Sequence, residues 1–72
     1  MTENKKHPIK EEWTEYYQML EAIRRSGITN MYGAAPYLEE FCPELNEDEA
    51  VEILINWMRN YDELNKKYNW QN

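Results

Sequence analysis

The chain has one cysteine, Cys42, and one histidine, His7. A lone cysteine closes no internal disulfide, and one Cys with one His is too few ligands for an ordinary zinc site. Cys42 fits a reducing compartment as a small apolar side chain. Its neighbours Phe41, Pro43 and Glu44 bring no cation that would stabilise a thiolate. Glycine is equally scarce: Gly27 and Gly33 are the only two, at the wrong spacing for a phosphate-cradling loop and with no lysine following. No apolar run approaches the roughly 20 residues that cross a bilayer. The polar stretch 1–8 leads into no apolar h-region, so no signal peptide is expected. Cations are missing from the middle of the chain. Between Arg25 and Arg59 there is no Lys or Arg, while seven carboxylates fall there. With 14 acidic and 8 basic residues the net charge is −6, a poor fit to a general binder of phosphate backbones.

These shortages exclude much catalytic chemistry. The single His lies in the lead-in, and Cys42 has no base beside it. The acids Glu47, Asp48 and Glu49 lack the ligand alternation and central glycine of a calcium-binding loop. No catalytic residue, metal or cofactor is expected. What the chain does have is 72 residues, enough for one small domain, and an aromatic content of 14% with three Trp and six Tyr, which suits a packed mini-domain rather than a disordered tail.

Helical periodicity dominates. From Ile9 the stripe Ile9, Trp13, Tyr16, Leu20, Ile23 repeats every three or four residues, with Tyr17 and Met19 on its flanks. Glu21 and Arg25 form an i,i+4 pair, and Arg24-Arg25 suit a helix C-terminus. Gly27 reads as a left-handed C′ residue, which places Ile23 and Ile28 at the two positions whose apolar contact accompanies a Schellman ending. Thr29 or Asn30 caps the next helix. Its inward positions are Met31, Ala34, Ala35, Leu38 and Phe41, with Gly33 and Ala34 allowing close helix approach. Pro36 leaves two starts open, near Ala35 or at Met31 with a bend; the cap at Asn30 favours Met31. Asn46 and Glu49 form a capping-box variant, with Leu45 and Ala50 in staple positions. The third helix then carries Ala50, Leu54, Trp57, Met58, Tyr61, Leu64 and Tyr68 on one face. The expectation is an all-α, compact three-helix bundle over 9–26, 31–42 and 47–68, preceded by a flexible lead-in at 1–8 and followed by a frayed tail at 69–72.

Two surfaces remain once the core is assigned. Glu39 and Glu40 sit near a helix C-terminus, where negative charge is unfavourable, and with Glu44 they make a candidate acidic contact edge. Val51 and Ile55 fall off the core stripe of the third helix, and Tyr17 has no certain core place; these three are the apolar candidates for a partner. The helix–tight turn–helix outline also matches a DNA-binding helix-turn-helix, but its second helix carries acids and no cation, so nucleic acid is a poor fit.

The string Ser26-Gly27-x-Thr29-Asn30-Met31-x-Gly33-Ala34-x-x-x-Leu38, followed by Ala50-x-x-x-Leu54-x-x-Trp57-Met58, resembles a group of short phage and prophage-encoded proteins to which no activity is attached. The resemblance covers about Tyr16 to Tyr61. It implies a viral or mobile-element origin and expression in a bacterial cytoplasm, and it carries over no catalytic or binding residue. The function expected from all of this is that of a small non-enzymatic accessory protein binding another protein, for instance a host factor. A helix-turn-helix nucleic-acid binder and a homo-oligomeric module, for instance a homodimer packed through Val51, Ile55 and Tyr17, are the alternatives. No membrane association is expected.

Overall fold

Four α-helices and two short 3-10 turns make up residues 8–70, the part that the computed structural model describes. A 3-10 turn at Glu11–Trp13 runs into α1 (Thr14–Ser26), and a second at Met31–Gly33 runs into α2 (Ala34–Phe41); α3 (Glu47–Arg59) and α4 (Tyr61–Tyr68) follow. Residues 1–7 of the expected lead-in and residues 71–72 of the expected tail lie outside the described residues. Among those described, no helix is long and apolar enough to cross a membrane.

The expected third helix is two. Asn60 interrupts it: its backbone N–H donates to the Asn56 carbonyl at 3.1 Å, and its side-chain amide competes for the same oxygen at 2.9 Å. Asn60 itself leaves helical geometry at φ −108°, ψ 16°, which ends α3 at Arg59, and α4 follows with Leu64 N–H donating to the Asn60 carbonyl at 2.8 Å. The three-helix count is therefore corrected to four. The first helix, expected from residue 9, begins at Thr14 after its 3-10 turn, and the start of the second helix is corrected as well. An α-helix from Met31 would set the Pro36 ring against the Tyr32 carbonyl. Beginning α2 at Ala34 instead puts Pro36 in the first turn, where backbone N–H groups have no intrahelical partner in any case. Asn30 caps the preceding 3-10 turn, its Oδ1 accepting from Gly33 N–H at 2.9 Å.

At the end of α1, Gly27 adopts φ 75° and donates its N–H to the Arg24 carbonyl at 3.2 Å. The longer Schellman bond is replaced by the Ser26 hydroxyl, which donates to the Ile23 carbonyl at 2.7 Å and accepts from Ile28 N–H at 3.2 Å. Ile28 is exposed and does not pack on the core that holds Ile23, so the expected Ile23–Ile28 staple is absent. A Cβ at Gly27 would meet nothing within 4 Å, so Gly27→Ala is expected to lower stability by about 1 kcal/mol through backbone strain alone, read from the urea midpoint. At Gly33 the crowding comes from its own turn, since a Cβ there would lie 2.6 Å from Thr29 Oγ1. The close approach assigned to Gly33 is thus with Thr29 rather than with a neighbouring helix.

α3 opens on a complete capping box: Asn46 Oδ1 accepts from Glu49 N–H at 2.8 Å, and Glu49 Oε1 accepts from Asn46 N–H at 3.0 Å. The Schellman ending occurs on α4. Asn69 takes the left-handed conformation (φ 58°), and Trp70 N–H reaches back to the Asn65 carbonyl at 3.1 Å. Leu64 and Trp70, the pair of positions that such an ending brings together, both belong to the core, with Trp70 only 8% exposed. Fraying, expected from residue 69 onward, does not occur at Asn69 or Trp70.

One core joins all four helices. Tyr17, Leu20 and Ile23 of α1 meet Ala34, Ala35 and Leu38 of α2, Ala50, Ile53, Leu54 and Trp57 of α3, and Leu64 of α4, with Cys42 and Trp70 completing it. Ile53, absent from the expected stripe, is fully buried, and Phe41, expected inside, is exposed.

Candidate partner-binding surface

On α3 the core claims the side that carries Ala50, Ile53, Leu54 and Trp57. Helical geometry then places Val51 and Ile55, four residues apart, one above the other on a different face. Val51 is 38% exposed and Ile55 partly so, and neither belongs to the core or packs on it. They are the apolar residues of α3 left without an internal role. Carboxylates border them at helical spacing: Glu47 and Asp48 lie one turn before Val51, and Glu52 one turn before Ile55. All three are exposed and have no ion-pair partner among the described residues. The positive end of α3 accounts for Glu47 and Asp48, but Glu52 lies past the first turn, beyond the reach of that explanation.

The acidic edge of α2 has an apolar centre that the sequence reading missed. Phe41 is 53% exposed between Glu40 and Glu44, while its neighbour Cys42 takes the buried place. The 100° helical step does not reveal this, since Phe41 lies seven residues, and so about 20°, from the buried Ala34. Of the three edge acids, Glu44 is held from α1, its Oε2 accepting from the Tyr16 hydroxyl at 2.9 Å. Glu40 is exposed and Glu39 half-buried. Tyr32, in the 3-10 turn before α2, is the most exposed large apolar residue at 76%.

Tyr17 must be removed from the surface set, because it is fully buried. Its hydroxyl donates to Asn56 Oδ1 at 2.8 Å and accepts from Lys10 N–H at 3.0 Å, and Asn56 in turn donates to the Pro8 carbonyl at 2.7 Å. This buried polar chain ties the segment before α1 to α3. A second network centres on Glu21, which is 3% exposed. Its Oε1 accepts from Arg24 Nε at 3.2 Å and Tyr61 Oη at 2.9 Å; its Oε2 accepts from Arg24 Nη2 at 2.8 Å and Arg25 Nε at 2.7 Å. Arg25 also donates to the Trp70 carbonyl, and Trp70 Nε1 donates to Gln18 Oε1 at 3.0 Å. The turn at Asn60 is what brings Tyr61 and Trp70 back over α1.

The titration shifts that accompany these contacts all lead away from neutral pH. Burial would raise the Glu21 carboxyl, but the hydrogen bonds from Arg24, Arg25 and Tyr61 outweigh it and hold the group below its ordinary 4.5. Burial raises the hydroxyls of Tyr17 and Tyr61 above 10.0 and the Cys42 thiol above 9.0, and the bond to Glu44 raises Tyr16. No family model, curated protein or solved structure matches this chain.

Proposed function

We propose that this is a small non-enzymatic accessory protein of the phage or prophage type that acts by binding another protein, with the α2–α3 hairpin as its contact surface. One observation carries the reading: Val51 and Ile55 stand outside the core on α3, and Phe41 stands exposed at the end of α2. Exposed apolar side chains grouped within one hairpin and rimmed by charge have the make-up of an interface centre. The phage-like string supports the reading of a mobile-element protein, for which a bacterial host protein is a fitting partner.

The test is a comparison of wild type with Ile55→Asp, each immobilised and used to capture protein from bacterial lysate. Ile55 is partly buried but not part of the core, so the variant is expected to keep its helical circular dichroism while losing about 1–2 kcal/mol of stability. At least one captured protein should be lost or reduced about tenfold or more. Identical capture by both proteins, with both folded, counts against the hairpin as the contact surface.

A further inference from the structure

The charge of this molecule is segregated. Residues 34–59, the α2–α3 hairpin, hold seven carboxylates against Arg59 alone, a balance of −6 that equals the net charge of the whole chain. The remaining residues carry seven charges of each sign. Three of the apolar side chains left outside the core lie inside this charged region, Phe41 between Glu40 and Glu44, and Val51 and Ile55 beside Glu47, Asp48 and Glu52, while Ile28 and Tyr32, also exposed, precede it. Arg24 and Arg25 are taken up by Glu21 on α1 and do not neutralise the hairpin. A surface that alternates apolar groups with uncompensated carboxylates complements a segment that alternates apolar groups with cations, and it repels an anionic one.

We infer that the segment this hairpin receives is a cationic amphipathic helix, with Lys or Arg flanking apolar residues one helical turn apart. It lays its apolar stripe on Val51 and Ile55 while its cations face Asp48 and Glu52. The inference rests on the hairpin being the contact surface and adds the chemistry of what it contacts. A helix is the form that fits, because the receiving side chains Val51 and Ile55 are themselves spaced by one turn, and helices presenting apolar residues at i, i+3, i+4 and i+7 dock on such faces. Electrostatic steering then speeds encounter, and the apolar contacts hold the complex.

The experiment uses the full chain and labelled synthetic helices, followed by fluorescence anisotropy. The probe is a leucine–lysine peptide patterned as an amphipathic helix. Its controls are a peptide with every lysine replaced by glutamate, and a peptide of the same composition in scrambled order. The leucine–lysine helix is expected to bind, with an affinity that falls about tenfold or more in Ile55→Ser and in the double variant Asp48→Asn, Glu52→Gln. The affinity is also expected to fall as salt shortens the screening length from about 10 Å at 0.1 M to about 3 Å at 1 M. The glutamate helix is expected not to bind. Equal binding of the scrambled peptide, or binding unaffected by Ile55→Ser, would mean charge attraction without a site and overturns the inference. Absence of binding to the leucine–lysine helix, alongside lysate capture that still depends on Ile55, overturns the cationic partner and leaves the contact surface standing. Loss of the Ile55 dependence in lysate removes both.

Discussion

Replacing Tyr17 with alanine is expected to lower the unfolding free energy by about 5–7 kcal/mol. Truncating a buried aromatic costs about 3–5 kcal/mol through lost transfer energy and the cavity left behind. The hydroxyl adds its two hydrogen bonds, each worth about 1 kcal/mol net. A chain of 72 residues has a total stability of roughly 4–11 kcal/mol at 0.05–0.15 kcal/mol per residue, so the loss consumes most or all of it. The measurement is urea unfolding followed by circular dichroism. Tyr17→Phe separates the two contributions. It keeps the ring and removes only the link between Asn56 and the Lys10 N–H, with an expected loss of about 1–3 kcal/mol. A Tyr17→Ala protein within about 1 kcal/mol of wild type would show that Tyr17 belongs to the surface after all.

The second large effect concerns Glu21. Each of its oxygens accepts two hydrogen bonds, so an amide in its place turns an NH2 toward two donors whichever way it is flipped. Glu21→Gln is expected to cost about 2–3 kcal/mol near neutral pH. That is less than the 3–5 kcal/mol of a fully buried pair, because the Arg24 and Arg25 side chains are 39% and 50% exposed and water screens them. The loss has a pH signature. The carboxyl is held below its ordinary value in the folded state, so its contribution is fully present above 4.5 and disappears as pH falls through the depressed folded value. The stability difference between wild type and Glu21→Gln should therefore shrink on acidification below 4.5 and stay level from there to neutrality. A difference independent of pH across that range would mean that the carboxylate charge contributes nothing.

Both effects arise at residues whose burial is hard to read from a single helix. Periodicity places Tyr17 on a flank of α1 and Glu21 in an exposed i,i+4 pair with Arg25. The i,i+4 contact is present, but α4 folds over it and adds Tyr61 to the same carboxylate. Pairings within one turn are visible in sequence because the partners are fixed by helical spacing. Pairings across helices depend on which flank the neighbour covers, and no single-helix pattern encodes that. The candidate surface divides in the same way: Val51 and Ile55 are legible as off-stripe positions on α3, whereas Phe41 and Tyr17 exchange places between inside and outside once the helices are packed.

By itself the sequence determines that the chain is helical, where α1 and α4 end, where α3 begins, and where its negative charge gathers. Gly27, Asn30, Asn46 and Glu49 act through hydrogen bonds that close within four residues, so composition and spacing suffice to read them. The tertiary structure decides that the last helical stretch turns at Asn60, that Trp70 is packed rather than frayed, and that Tyr17, Glu21 and Asn56 are interior groups. The reason is that their partners are distant in sequence. Tyr17 meets Asn56 across 39 positions, Glu21 meets Tyr61 across 40, and Gln18 meets Trp70 across 52, so those contacts exist only once all four helices have come together.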